Sequence, residues 1–175
     1  YAVSGVDFSA LTYAAIPTTS NTDWNAATCN WSANGYRLPT EMEWMWAAMG
    51  APADGQGGGT NTSGYSKVFA GSTGSNSLDA YAWYSTNSSN KTHPAGTKLA
   101  NELGLYDMSG NVWEWCWDWY GSYPANSNSD YRGAGPGSYR LLRGGSFINS
   151  AGYVTVAYRD DTYPSHQIYD IGFRV

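Results

Sequence analysis

Apolar and polar positions change rhythm several times along this chain. From Gly35 to Gly50 the run GYRLPTEMEWMWAAMG sets Thr40 before a stretch of good helix formers, with Glu43 three residues on. A Thr at a helix start accepts from the amide of the third helical residue. A Glu at that residue reaches back to the Thr amide, so the pair forms a capping box. Gly50 suits the left-handed position that closes a helix. The spacing predicts a helix over 40–49. The segment AYAWYS around Trp83 alternates like a short strand. GLYDMSGNVWEWCWDWY, from Gly104 to Tyr120, reads as a turn followed by an aromatic strand with Trp113, Trp115, Trp117 and Trp119 in alternation. Further strand-like runs fall at 139–143, 153–159 and 171–175. Residues 1–28 show no clear period. Residues 51–78 and 121–138 are rich in Gly, Ser and Asn and read as loops. No internal repeat is visible. One helix, many short strands and long loops predict a single loop-rich α+β domain over 1–175.

Composition narrows the function. Of the 175 residues, 9 are Trp and 15 are Tyr, while charged residues make up only 13%. Such aromatics pack cores, and where exposed they build recognition surfaces. The net charge of −5 lacks the basic face a nucleic-acid partner needs. No apolar run approaches the length of a membrane span. The first residue is Tyr1 and no signal peptide is visible, so the chain reads as a piece of something longer. Cys29 and Cys116 either form one bridge or stay as two buried thiols. Asn30, Asn61, Asn87 and Asn90 stand in N-x-S/T patterns, which matter only in a eukaryotic secretory host.

Three blocks carry a specific resemblance: GYRLPTEMEWMWAAMG, NELGLYDMSGNVWEWCWDWY, and LLRGGSF with AYR, Pro164 and IGFRV behind it. Together, over about residues 29–175, they resemble the formylglycine-generating enzyme/sulfatase-modifying-factor family, with its N-terminal strand and helix shortened or missing. The resemblance implies a variant of the C-type lectin fold. It also implies a structural calcium around DMSGNVWE, held by the carboxylates of Asp107 and Glu114 and the carbonyls of Gly110 and Val112. The other reading is that Asp107 caps the turn and Glu114 pairs with an Arg. No other cofactor is expected. The enzymes of this family bind copper through two Cys in the final segment, because a thiolate is needed as ligand and redox group. The first of these falls on Asn149 here, and no Cys follows. A related branch builds an iron site from three His, and this chain has only His93 and His166. No Ser-His-Asp triad stands out. The expectation is a protein that is not an enzyme.

The segment 148–170 explains what replaces the chemistry. Scaffold residues surround it, from Arg143 to Ser146 and from Ile171 to Val175. Between them lie Ile148, Asn149, Ser150, Gly152, Tyr153, Tyr158, Asp160, Asp161, Thr162, Tyr163, Ser165, His166, Ile168, Tyr169 and Asp170. This arrangement resembles the variable proteins of diversity-generating retroelements, in which adenines of a template are randomised, often at AAC codons. Such codons never yield Lys, Glu, Gln, Met or Trp, and across 148–170 only Gln167 belongs to that set. The Tyr, Ser, Asn and Asp palette is that of antibody paratopes. The blander reading keeps Tyr153 in a core strand and leaves Asp160 and Asp161 as solvated turn residues. The resemblance implies a surface-displayed binder, anchored through a segment upstream, whose partner is a protein or other macromolecule on another cell, phage or host. The alternatives are a non-catalytic family member with a fixed ligand, or an oxidase with an unfamiliar metal arrangement.

Overall fold

The computed structural model describes residues 1–50, 67–71, 77–126 and 129–175. Most of the loop predicted at 51–78, with Asn61, lies outside the described residues. Near the N-terminus, Ala2 bridges Thr28, and between them a single helical turn, α1 (Thr22–Asn25), is capped by the Asn21 side chain. The main helix, α2, runs Glu41–Ala48. Its capping box forms as the sequence predicts: the Glu43 amide donates to Thr40 Oγ1 at 3.3 Å, and the Thr40 amide donates to Glu43 Oε2 at 2.8 Å. Met49 closes the helix, and Gly50 takes the left-handed φ of +81°.

Four strands form one mixed sheet: β1 (Trp113–Trp119), β2 (Arg140–Arg143), β3 (Asp160–Thr162) and β4 (Ile171–Phe173). Their order is β3-β2-β1-β4. The β1–β2 and β2–β3 pairs are antiparallel, and β1–β4 is parallel. Trp113 is buried, while Trp115, Trp117 and Trp119 are half-buried on the same side of β1. Glu114, Cys116 and Asp118 point the other way and are buried. The helix α2 faces this polar side. Its Trp44 indole donates to Glu114 Oε2 at 2.7 Å, and the Glu41 amide donates to Asp118 Oδ2 at 2.7 Å. Hydrogen bonding offsets the burial of both carboxylates. Trp44, Ala48, Met108, Cys116, Leu141 and Val156 complete this core. A second core joins Leu78, Ala82, Tyr84 and Val154.

Two predicted strands do not form. Residues 151–154 wind into a 3-10 turn, with the Tyr153 amide donating to the Ser150 carbonyl at 3.0 Å. Val154 and Val156 are both buried, but Val154 enters the second core and Val156 the first. The two valines therefore anchor a crossing between cores instead of sharing one strand face, and the strand starts only at Asp160. Around Trp83 the chain makes a lone bridge to Gly110. Turns on both sides consume its amides: Tyr81 donates to the Leu78 carbonyl, and Tyr84 to the Asn87 side chain.

Candidate functional site

The segment 148–170 is pinned at both ends to one residue. The Ser146 hydroxyl lies 2.7 Å from Asn149 Oδ1 and 3.0 Å from Asp170 Oδ2. Asp170 is buried, and its carbonyl accepts from the Trp113 amide at 2.8 Å. The Ser146 amide also donates to Asn149 Oδ1. Asp170 therefore does not reach the surface, and the Asn149 side chain is committed to an internal turn. Before Ser146, Gly144 and Gly145 hold left-handed φ values of +89° and +71°. A Cβ on Gly145 would stand 2.6 Å from Val154 Cγ1 and 2.8 Å from the Tyr153 carbonyl oxygen, so no other residue fits there. Inside the segment, the buried Arg143 guanidinium donates to the carbonyls of Val156 at 2.9 Å and Tyr158 at 2.7 Å. Arg159 joins Glu41 through Nε and Nη2 at 2.6 and 2.8 Å, and donates through Nη1 to the Gly121 carbonyl. Arg143 thus fixes the segment's backbone from behind; Val154, Val156 and Asp170 turn inward, and most of the expected variable side chains turn outward.

Those outward side chains fall into two groups. Along the β3 edge stand Asp160, Asp161 and Thr162, flanked by tyrosines. Tyr153 is 43% exposed and packs on Tyr158 at 4.7 Å. Tyr163 packs on Tyr139 at 4.6 Å, with their hydroxyls 3.1 Å apart. Burial pushes the Asp161 carboxyl up, and the adjacent Asp160 adds to the shift. Burial likewise raises the Tyr158 phenol. Thr162 Oγ1 meets His166 Nδ1 at 2.6 Å, which orders the turn through Ser165. The second group crosses to the β4 side, where exposed His166, Ile168 and Tyr169 border a hollow of about 330 Å³ against Trp115 and Ile171. Exposed Ile148, Ser150 and Gly152 lie on the turn leading into the segment.

Sequence reasoning missed Tyr120, Tyr123 and Tyr139, all exposed. The Arg159 guanidinium lies 4.9 Å from the Tyr120 ring and 4.2 Å from the Tyr123 ring. The Tyr123 hydroxyl donates to Glu41 Oε1 at 2.9 Å, and burial followed by the Glu41 charge pushes its pKa up to about 12. Tyrosines at both ends of, and within, a loop of Gly, Ser and Asn were the available signal.

The calcium expectation meets residues with other commitments. Arg174 takes both Glu114 oxygens, at 2.6 and 3.0 Å, and Trp44 takes one of them again. Asp107 Oδ2 accepts from the Gly96 amide at 2.9 Å, which leaves Oδ1 as a buried oxygen without a donor. Both Glu114 oxygens are thus engaged by Arg174 and Trp44, and Asp107 Oδ1 is left as the carboxylate oxygen of this turn without a donor. Among the described residues no three His, Cys, Asp or Glu side chains converge as metal ligands. Both cysteines are free thiols. Burial, and then Asp118, holds the Cys116 thiol well above its ordinary pKa, the reverse of what a thiolate ligand needs.

A small mixed sheet under one capped helix, with long ordered loops, defines a C-type lectin-like domain of the formylglycine-generating-enzyme type. Residues 4–175 match the sulfatase-modifying factor enzyme 1-like domain, and the chain belongs to that family. The match reaches beyond the three sequence blocks and takes in α1. Among curated relatives, the chaperone protein LppX of Paenibacillus barcinonensis is 36% identical over 155 residues, 79% of this chain and 47% of that protein. The formylglycine-generating enzyme of Streptomyces coelicolor is 32% identical over 160 residues, 86% of this chain and 49% of that enzyme. The chain spans about half the length of these relatives. Among solved structures, Treponema denticola variable protein 1 superposes with a TM-score of 0.82 at 42% identity, over 96% of this chain and 56% of that one. CarF follows a similar path with a TM-score of 0.59 at 32% identity, over 82% of this chain and 48% of that one. No helix among the described residues is long and apolar enough to cross a membrane.

Proposed function

We propose that this domain is a non-catalytic binder whose C-terminal face recognises a protein or other macromolecule outside the cell. Its specificity side chains are diversified by a retroelement. One observation carries the reading: the buried Arg143 holds the backbone of 148–170 from behind, Ser146 and Glu41 hold its Asp170 and Arg159 side chains, and Tyr153, Tyr163, Tyr169, His166 and Ile168 stand outward with few ties. A backbone held by the framework tolerates changes at its outward side chains, as paratope loops on rigid scaffolds do. The similarity to a treponemal variable protein supports the same reading. So does the Asn at position 149, where the family's enzymes place a Cys. Surface display through an upstream anchor belongs to this proposal. β3 lies at the edge of the sheet, which places Asp160, Asp161 and Thr162 beside the outward tyrosines.

Sequencing the coding segment for residues 140–175 across many clones of the source population tests it. Substitutions should gather at Ile148, Ser150, Gly152, Tyr153, Tyr158, Asp160, Asp161, Thr162, Tyr163, Ser165, His166, Ile168 and Tyr169. They should spare Arg143–Phe147, Val154, Val156, Arg159 and Asp170. An invariant segment would overturn diversification and favour a fixed ligand.

A further inference from the structure

Beside this face, the N-terminal residues and β1 enclose a hollow of about 690 Å³, within the range of small-molecule sites. Its walls are Trp31, Trp117 and Trp119, with Asn25, Thr28 and Arg140 as polar groups. None of its lining residues belongs to 148–170. The hollow continues past Asn25, Ala27, Trp117 and Arg140 into a narrower cleft of about 220 Å³ bordered by Trp24, Leu38 and Trp115. The pavement is built firmly. Tyr1 stacks on Trp117 at 4.9 Å, and Trp31 meets it edge-on at 6.3 Å. Arg37 and Arg132 sit over Trp31 at 4.9 and 4.5 Å.

Arg140 sets this hollow apart. Five of the six arginines, namely Arg37, Arg132, Arg143, Arg159 and Arg174, hold a carboxylate partner. Arg140 holds none among the described residues. Its guanidinium lies 3.8 Å from the Trp119 ring and 4.5 Å from the Trp117 ring. Its Nη1 donates to the Trp117 carbonyl. Burial among the indoles lowers its pKa to about 10, with only the more distant charges of Asp118 and Tyr1 opposing the shift. A guanidinium presents five donors in a planar fork that matches a carboxylate. Stacking on two tryptophans orients that fork and strips part of its water, which strengthens any charge-assisted bond it makes. The surrounding surface attracts anions little, since the chain's net charge is −5.

We infer that this hollow binds a small organic acid with a flat or apolar body, the body lying against Trp117, Trp119 and Trp31 and the carboxylate on Arg140. The hollow lies beside the proposed macromolecular face, its narrower cleft reaching Pro164, and the assignment does not rest on that reading. A domain carrying both would present a fixed small-molecule site beside a changeable surface.

Isothermal titration of the protein with phenylacetate and with phenylacetamide tests this. The two probes share the ring and differ in charge. The acid should bind at least about ten-fold more tightly than the amide, the scale of one charge-assisted hydrogen bond. Arg140→Met keeps much of the side chain's packing volume and should lower phenylacetate affinity about ten-fold or more. Equal binding of acid and amide by the unmodified protein, or no binding of phenylacetate at millimolar concentration, would overturn the assignment. Neither result depends on whether the Arg140 variant folds. Full retention of phenylacetate affinity by a folded Arg140→Met protein would overturn it as well.

Discussion

The Glu41 carboxylate and the Arg143 guanidinium meet at 2.8 Å with both side chains cut off from water, 1% and 0% exposed. This pair ties the first turn of α2 to the end of β2. Glu41 also binds Arg159, and Arg143 also holds the carbonyls of Val156 and Tyr158. One carboxylate thus fixes the helix, the sheet and the C-terminal segment. Removing one member of a buried charge pair leaves the other uncompensated. Glu41→Gln is expected to cost about 3–5 kcal/mol, read as a fall in the urea midpoint. Arg143→Met paired with Glu41→Leu should cost less than the sum of the two single changes. A Glu41→Gln midpoint equal to that of the unmodified protein would remove Glu41 from this role.

Asp118 gives stability a pH dependence of identifiable sign. Burial, partly opposed by the Glu41 amide bond and helped by the Glu41 charge, raises its pKa from 3.8 to about 6. Its Oδ1 is buried and lacks a donor. A carboxyl with a raised folded pKa binds protons more readily folded than unfolded, so its contribution is greatest below about pH 4 and is lost as pH rises through about 6. The span corresponds to about 3 kcal/mol at most. Asp118→Asn keeps an oxygen for the Glu41 amide and cannot ionise. The stability of the unmodified protein relative to Asp118→Asn should therefore fall between about pH 4 and pH 6. A flat difference, or one rising with pH, would contradict the assignment.

The outward tyrosines and the buried aspartate of the same segment should respond in opposite ways. Tyr153→Ala and Tyr163→Ala remove exposed rings and should move stability by no more than about 1 kcal/mol, while altering macromolecular binding. Asp170→Ala removes the acceptor near the Ser146 hydroxyl and opens a gap between β4 and the Gly-Gly-Ser turn, and should cost about 1–3 kcal/mol. Thermal unfolding of the three variants separates them. Comparable losses in all three would mean that Tyr153 and Tyr163 belong to the core.

The helix was legible because its signals are local: Thr40, Glu43 and Gly50 lie within a few turns and act on their own backbone. β1, β2 and β4 were legible for the same reason, while β3 was not. The run 153–159 was not, because alternation says that Val154 and Val156 are buried without saying that they enter different cores. Along WEWCWDW the alternation gives two faces without saying which one meets the helix: α2 covers Glu114, Cys116 and Asp118, whose partners Trp44 and the Glu41 amide are distant in sequence. The expected variable residues were mostly placed outward, but Asn149 and Asp170 look like their neighbours in composition. Only their convergence on Ser146 sets them apart. The alternative offered for the DMSGNVWE turn, an Arg partner for Glu114, is the one the structure holds, in Arg174.

Gly145 offers the sharpest test of how the turn before the segment is built. Its φ of +71° is strained for any residue with a side chain, and the space its Cβ would need is taken by Val154 Cγ1 and the Tyr153 carbonyl. Neither neighbour can retreat easily, since Val154 is fully buried in the second core and the Tyr153 carbonyl belongs to the 3-10 turn. Gly145→Ala should therefore combine the left-handed penalty with overpacking, for a loss of about 2–4 kcal/mol. Gly152→Ala, with open space around it and an ordinary φ, should be neutral or slightly stabilising because it restricts the unfolded chain. Chemical denaturation of the two variants side by side reads the contrast. Equal stabilities would show that the turn can relax, and that the Gly-Gly-Ser corner does not rigidly set where the exposed segment begins.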